Sequence, residues 1–255
     1  MKTTNKTHFL LATSAIVSVA AFSATPAFAD VETVGGTGIT DSSAFDSNTG
    51  ENLVLTENGS PFTESIATGD SSSQTIGDGS GNAIESQESG DAVTLTITST
   101  GAGAADVTVD GDIQKQADND LNLVLTAAGS NDQSVAVDGD LNLGEGTIKV
   151  DGGASNSGLS ATGDITSGAI TLDSSSTAAG LSLNGTEGPQ TVAGTVDSAG
   201  TGTTSALTVN NADGVTFESL VGDTESVNSL TVTKGDATFD KKAVIDAVTV
   251  NGSSN

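Results

Sequence analysis

"LTITSTGAGAADVTVDGDI", residues 95–113, aligns without a gap on "LVLTAAGSNDQSVAVDGDL", residues 123–141. The two stretches stand at an offset of 28, 8 of the 19 positions are identical, and the apolar positions are conservatively matched. Two further pairs follow. "IKVDGGASNSGLSATG" (148–163) aligns on "ITLDSSSTAAGLSLNG" (170–185) at an offset of 22, and "LTVNNADGVTF" (207–217) returns as "LTVTKGDATF" (230–239) with one residue deleted. Each unit reads as strand, glycine-containing turn, strand, turn.

Working outward, twelve apolar-x-apolar runs of Val, Ile, Leu or Phe fall between residues 93 and 250, among them "VTLTI" (93–97), "LNLVL" (121–125) and "LTV" (207–209). Strands this short bury too little to stand alone and need stacked neighbours. The repeats supply them. The pattern predicts an all-β chain, a right-handed parallel β-helix or β-solenoid of irregular 18–28-residue repeats. Each strand pairs with its equivalent above and below, and inward Val, Ile and Leu form columns. Antiparallel β-sandwich repeats are the alternative, since they also space strands 8–12 residues apart. The offset repeats and the absence of Trp and Tyr favour the solenoid.

Three segments follow from composition. Residues 1–29 read as a secretory signal peptide: Lys2 and Lys6 in a positive start, an apolar run over 9–22, and Ala27-Phe28-Ala29 at the cleavage site. That run is interrupted by Thr13, Ser14 and Ser18 and falls short of the roughly 20 residues of a spanning helix. Residues 30–90 are rich in Ser, Gly and Asp, with "NLVLT" (52–56) the one strand, and read as a weakly ordered N-terminal segment. Residues 91–255 form the repeat region.

Beyond the leader the chain has five Lys, no Arg, His, Cys, Tyr or Trp, and all 33 acidic residues, a formal charge of −28. Phosphate binding needs clustered Lys or Arg, so the composition excludes nucleic acid as a partner. Without Cys there is neither a disulfide nor thiolate chemistry, and without His the commonest general base near neutral pH is missing. Val, Ile, Leu and Phe make up about 22% of this part, just above the ~20% below which such charge signals disorder.

The aligned units share Asp-Gly-Asp, Asp110 to Asp112 and Asp138 to Asp140. Asp-Gly after a strand is a turn signal, and "ATGDI" (161–165) keeps the turn with Asp164 alone. Calcium needs 6–8 oxygens around one point, of which two carboxylates per turn supply only part. Asp110, Asp112, Asp138 and Asp140 therefore stand first as corner residues, with calcium as the one ligand held open for them and no other cofactor expected. "GDGSGNAIE" (77–85) starts like a calcium loop but has Ala83 in place of the required glycine and Ser89 at the twelfth position. Thr94, Thr96 and Thr98 line one strand face without recurring in the next unit. The sequons at Asn58, Asn184 and Asn251 all read Asn-Gly and are taken as turns.

Signal peptide, cysteine-free acidic composition and irregular strand repeats resemble the passenger regions of Gram-negative autotransporter adhesins and the β-strand-repeat proteins called S-layer-like. The resemblance covers about residues 91–255 and implies a structural or adhesive, non-enzymatic role at the cell surface or outside a Gram-negative cell. Implied partners are surface glycans, host or matrix proteins, or like chains. The closing "VTVNGSSN" ends on a repeat without barrel strands. The resemblance then implies either a fragment of a protein with an outer-membrane translocator, or a complete short surface protein. Two other readings stay open: a polysaccharide-acting β-helix enzyme using carboxylates such as Asp110 and Asp138, and a disordered acidic surface chain.

Overall fold

Period-two alternation sends every second side chain of a strand to the same side, and here that side is the interior. The protein is described from a computed structural model covering residues 31–34, 52–55, 62–68, 74–79, 81–87, 92–99, 105–115, 120–127, 132–173, 177–200 and 204–251. The expected leader, residues 1–29, and the Asn58 sequon lie outside the described residues. Every strand pairing among those residues is parallel. The fold is therefore a parallel β-solenoid, and the antiparallel sandwich is excluded.

Each full coil contributes strands to three columns. One column is an 8-stranded sheet running from Gln74–Ile76 through Ala105–Val109, Gln133–Val137, Ser157–Ala161, Ala178–Leu183, Thr204–Asn210 and Val227–Lys234 to Ile245–Val250. The other two columns belong to one 13-stranded sheet. They merge because Ile165–Asp173 and Gln190–Ser198 each run through a corner, with a register shift between Thr166 and Ala169.

The registers reproduce the sequence alignments. Leu95 pairs with Leu123, Val107 with Val135 and Ile113 with Leu141, all at the offset of 28. Ile148 pairs with Ile170 and Leu159 with Leu181, at the offset of 22. The deleted residue of the third alignment falls between Leu207–Leu230, offset 23, and Phe217–Phe239, offset 22. Pairing offsets fall to 18 at Val232–Val250 and rise to 33 at Ile76–Val109, beyond the expected range.

The stack also reaches N-terminal of residue 91, into the segment expected to be weakly ordered. Asn52–Leu55, Phe62–Thr68, Gln74–Ile76 and Asn82–Ser86 all pair with coils that follow. "NAIES" carries no alternating run of large aliphatics: it turns Ala83, Ile84 and Ser86 inward, which is why its strand is illegible from spacing.

Three unbroken columns fill the core. Leu53, Ile84, Ile113, Leu141, Ile165, Val192, Phe217 and Phe239 stack on one face. Ile76, Val109, Val137, Ala161, Leu183, Val209, Val232 and Val250 stack on another. Leu95, Leu123, Ile148, Ile170 and Val196 form the third. Each mid-stack member has a coil above and below, so Leu123 and Ile148 are fully buried. Phe217 and Phe239 close one column as stacked rings, centroids 5.0 Å apart. No helix among the described residues is long and apolar enough to cross a membrane.

Leu123→Ala should cost about 2–5 kcal/mol, because neighbouring coils are locked by the backbone ladder and cannot close the cavity. The equivalent truncation Val250→Ala, at a position 67% exposed, should stay within about 0.5 kcal/mol. Urea unfolding midpoints compared at equal m-value read both.

Candidate functional site

The Asp-Gly-Asp units occupy one corner of the solenoid, where the 8-stranded sheet hands the chain to the next coil. Asp138 to Asp140 follow Gln133–Val137 and precede Leu141–Asn142, with Asp110 to Asp112 one coil earlier and Thr162 to Asp164 one coil later. The three positions of the turn have three separate jobs.

The first extends the sheet ladder into the corner. The N–H of Asp110 donates to the Ile76 carbonyl at 2.7 Å, Asp138 to Val109 at 2.8 Å, Thr162 to Val137 at 3.1 Å and Asn184 to Ala161 at 2.9 Å. Side chains follow the same column: the Thr162 hydroxyl donates to Asp138 Oδ1 at 2.9 Å, and Asn184 Nδ2 to Ser160 Oγ at 2.7 Å. The Asn184 sequon is thus a corner position, as its Asn-Gly reading predicts.

The second position is glycine because the coils nearly touch there. A Cβ on Gly163 would sit 2.5 Å from the Gly139 carbonyl, and one on Gly139 would sit 2.6 Å from that of Gly111. Only Gly111 of the three has a positive φ, 133°, so space rather than handedness selects glycine along this column.

The third position is a hydrogen-bond acceptor aimed along the axis. Asp112 Oδ1 accepts the N–H of Asp140 at 2.9 Å, Asp140 Oδ1 that of Asp164 at 2.8 Å, and Asp164 Oδ1 that of Thr191 at 2.7 Å. The aspartate that "ATGDI" retains is the one that bonds the next coil. Amides do the same work at other corners: Asn122 Oδ1 accepts from the Thr147 N–H and Asn156 Oδ1 from the Ala178 N–H, both at 2.9 Å. An oxygen is what the position requires; a charge is not.

After Asn184 the chain makes a longer detour, "GTEGP" (185–189), before Gln190 re-enters the stack. Gln190 is buried and its amide substitutes for the missing backbone turn. Nε2 donates to the carbonyls of Ala161, at 3.2 Å, and of Gly163, while Oε1 accepts the Gly185 N–H at 3.3 Å. The detour walls one end of a groove of about 630 Å³ along the corner. All four sequence candidates, Asp110, Asp112, Asp138 and Asp140, line this groove, together with Asp164 and Glu187. Sequence reasoning missed Glu187, whose only signal was the insertion between two aligned repeats.

Successive corners are separated along the axis by the inter-strand spacing, about 4.8 Å. Carboxylates so arranged form a line rather than a shell, and the third-position oxygens Oδ1 already face backbone N–H groups. No group of three or more acidic side chains with metal-holding geometry is present among the described residues. A calcium shell requires 6–8 oxygens at roughly 2.3–2.6 Å from one point. The groove presents a row of carboxylates along one acidic edge.

Within the calcium-loop-like stretch, residues 77–79 and 81–85 stand at the same corner one coil earlier. The Gly79 N–H donates to the Asp110 carbonyl at 2.9 Å, and Asn82 Nδ2 turns to Glu85 Oε2 at 3.0 Å. Thr94, Thr96 and Thr98 face outward, and their partners in the next coil are Asn122, Val124 and Thr126, so no threonine ladder continues. Lys149 is the one cation set between two stacked carboxylates among the described residues, 3.1 Å from Asp151 and 2.8 Å from Asp173. Its pKa is raised, foremost by the hydrogen bond to Asp173 and against the opposing effect of burial.

Comparison with protein-family models, with curated proteins and with solved structures found no match for this chain. Fold and corner geometry therefore define the class on their own: an acidic parallel β-solenoid.

Asp140→Ala should cost about 1 kcal/mol, through the bond lost to the Asp164 N–H, whereas Asp140→Asn should stay close to the parent because its amide oxygen still accepts. A calcium site would rank the pair differently, with both variants losing calcium-dependent stabilisation, so unfolding is followed with and without calcium. A second measurement concerns Lys149. A raised lysine pKa contributes stability that is complete below the unfolded value, about 10.4, and is lost as pH rises through the folded value. The stability difference between parent and Lys149→Met should hold from neutral pH upward and shrink above about pH 10.4.

Proposed function

We propose that this chain is an exported structural or adhesive repeat protein of a Gram-negative cell surface, working through many weak contacts spread along a rod. The observation that carries the reading is the commitment of the corner side chains. Asp112, Asp140, Asp164, Asn122 and Asn156 each commit a side-chain oxygen to a backbone N–H of the next coil. What remains outward is a long regular surface with corner detours of variable length, such as the one between Asn184 and Gln190. Detours of this kind change the contact surface without disturbing the stack.

The leader over residues 1–29 and the resemblance to passenger and S-layer-like repeats support an extracellular or outer-membrane location. Its partners would be surface glycans, host or matrix proteins, or like chains, engaged by avidity rather than by one pocket. No catalytic residue is assigned. The chain should be retained in the cytoplasm when residues 9–22 are deleted and reach the surface when they are present, as cell fractionation and surface proteolysis report.

The adhesive part is tested by displaying the chain on a non-adherent bacterium and measuring retention on glycan-coated and matrix-coated surfaces. Retention should fall more steeply than in proportion when coils are removed, as avidity requires. Equal retention with and without the displayed chain would sink the adhesive reading. Polysaccharide turnover that Asp110→Ala abolishes would replace it with the enzyme.

A further inference from the structure

Buried polar side chains are not spread evenly through the core. Nine polar residues are buried among the described residues, and five of them, Gln133, Ser155, Ser157, Ser198 and Ser205, stand at one corner. It is the corner where the 13-stranded sheet hands the chain to the 8-stranded one. Gln133, Ser157 and Ser205 belong to a single inward column there, which reads Ala105, Gln133, Ser157, Ala179 and Ser205 from coil to coil. This seam is polar but uncharged, since no Asp, Glu or Lys is buried among the described residues.

One part of the seam satisfies itself. The Ser205 hydroxyl donates to Asn228 Oδ1 at 2.9 Å and accepts the Asn228 N–H at 3.0 Å. The rungs below do not. Gln133 Nε2 donates to the Ile97 carbonyl of the preceding coil at 3.1 Å, but Gln133 Oε1 has no partner, and neither has Ser157 Oγ on the following coil. Gln133 is 2% exposed and Ser157 3%, and the two residues pair across adjacent strands. Leaving such oxygens buried without a hydrogen bond costs more than an ordinary hydrogen bond contributes. The buried amide of Gln190, by contrast, has protein partners for both Nε2 and Oε1.

We propose that this corner binds one water molecule, held between Gln133 Oε1 and Ser157 Oγ as a fixed link from coil to coil. The chemistry of the two atoms selects water. An amide oxygen only accepts, whereas a hydroxyl donates or accepts, so the bridging group must donate to Gln133 and can do either toward Ser157. A calcium ion would need 6–8 oxygens and would bring an uncompensated charge into a neutral seam. Adjacent strands stand about 4.8 Å apart, within the roughly 5.5 Å that two hydrogen bonds through one water oxygen span. The bond from Gln133 to Ile97 is thereby continued to Ser157, and three successive coils are joined inside the core. Internal water with two or more such partners is part of a fold. The inference needs neither the export reading nor the adhesive one.

A crystal structure of the full chain that resolves ordered solvent tests the site. The expected result is one water peak within about 3.2 Å of both oxygens. An empty corner, or a Ser157 hydroxyl bonded directly to Gln133, would overturn the proposal. Stability gives a second reading, because a bridged hydroxyl and an unpartnered one respond oppositely to truncation. Ser157→Ala should lower the folding equilibrium constant by about 5-fold, since the water loses a partner and Gln133 its link. Combined with Gln133→Met, the two losses should fall short of their product by at least about 2-fold. A Ser157→Ala chain as stable as the parent or more stable, or losses that simply multiply, would each count against the bridge and overturn it.

Discussion

The parallel backbone ladder between coils is the interaction on which everything else depends. A strand in a solenoid is paired on both sides by strands one coil away, so each residue is held at the height of its equivalents above and below. That constraint makes insertions inside a strand costly, because a shift by one residue turns the inward set outward. Length variation is therefore expelled to the corners. The pairing offset changes from 33 at Ile76–Val109 to 18 at Val232–Val250 while the inward column stays continuous.

Corners inherit a harder version of the same constraint. The chain turns sharply there, and its polar groups leave the regular ladder while the coils remain about 4.8 Å apart. Glycine answers the crowding at Gly139 and Gly163, and a short side chain bearing an acceptor oxygen answers the leftover N–H. Gln190 is instructive as the exception. Where the chain detours through residues 185–189, a longer amide reaches back into the vacated corner and binds two carbonyls and an N–H of its neighbours.

Repeats at fixed offset were enough to read the architecture, because a solenoid writes its register directly into sequence: an alignment offset of 28 is the pairing of Leu95 with Leu123. The corner was half legible. Asp-Gly-Asp announces a turn, but sequence spacing does not show which aspartate takes the backbone N–H of the next coil, and the structure assigns that bond to the second, Asp112, Asp140 and Asp164. The strand Asn52–Leu55 was legible as "NLVLT", whereas Asn82–Ser86 stayed hidden because its inward positions include Ala83 and Ser86, which carry no hydrophobic period. The groove was legible only in part: its Asp-Gly-Asp carboxylates stand in the sequence motif, but stacking sets them beside Glu187, which no local motif connects to them.

A chain with so few large aliphatics and a formal charge of −28 over residues 30–255 has little apolar surface to contribute to folding. Stacking solves this by using each aliphatic side chain twice, against the coil above and the coil below, and alternation puts the acidic residues outside. The gain exists only inside the stack. Along one column the exposure is 0% at Val209, 5% at Val232 and 67% at Val250. In a quasi-one-dimensional protein, stability is a sum over coil interfaces, and a terminal coil has one where the others have two. Among the described residues the strand Ile245–Val250 thus keeps the sequence pattern of a core with a neighbour on one side only, and its inward valines are the least buried of their columns.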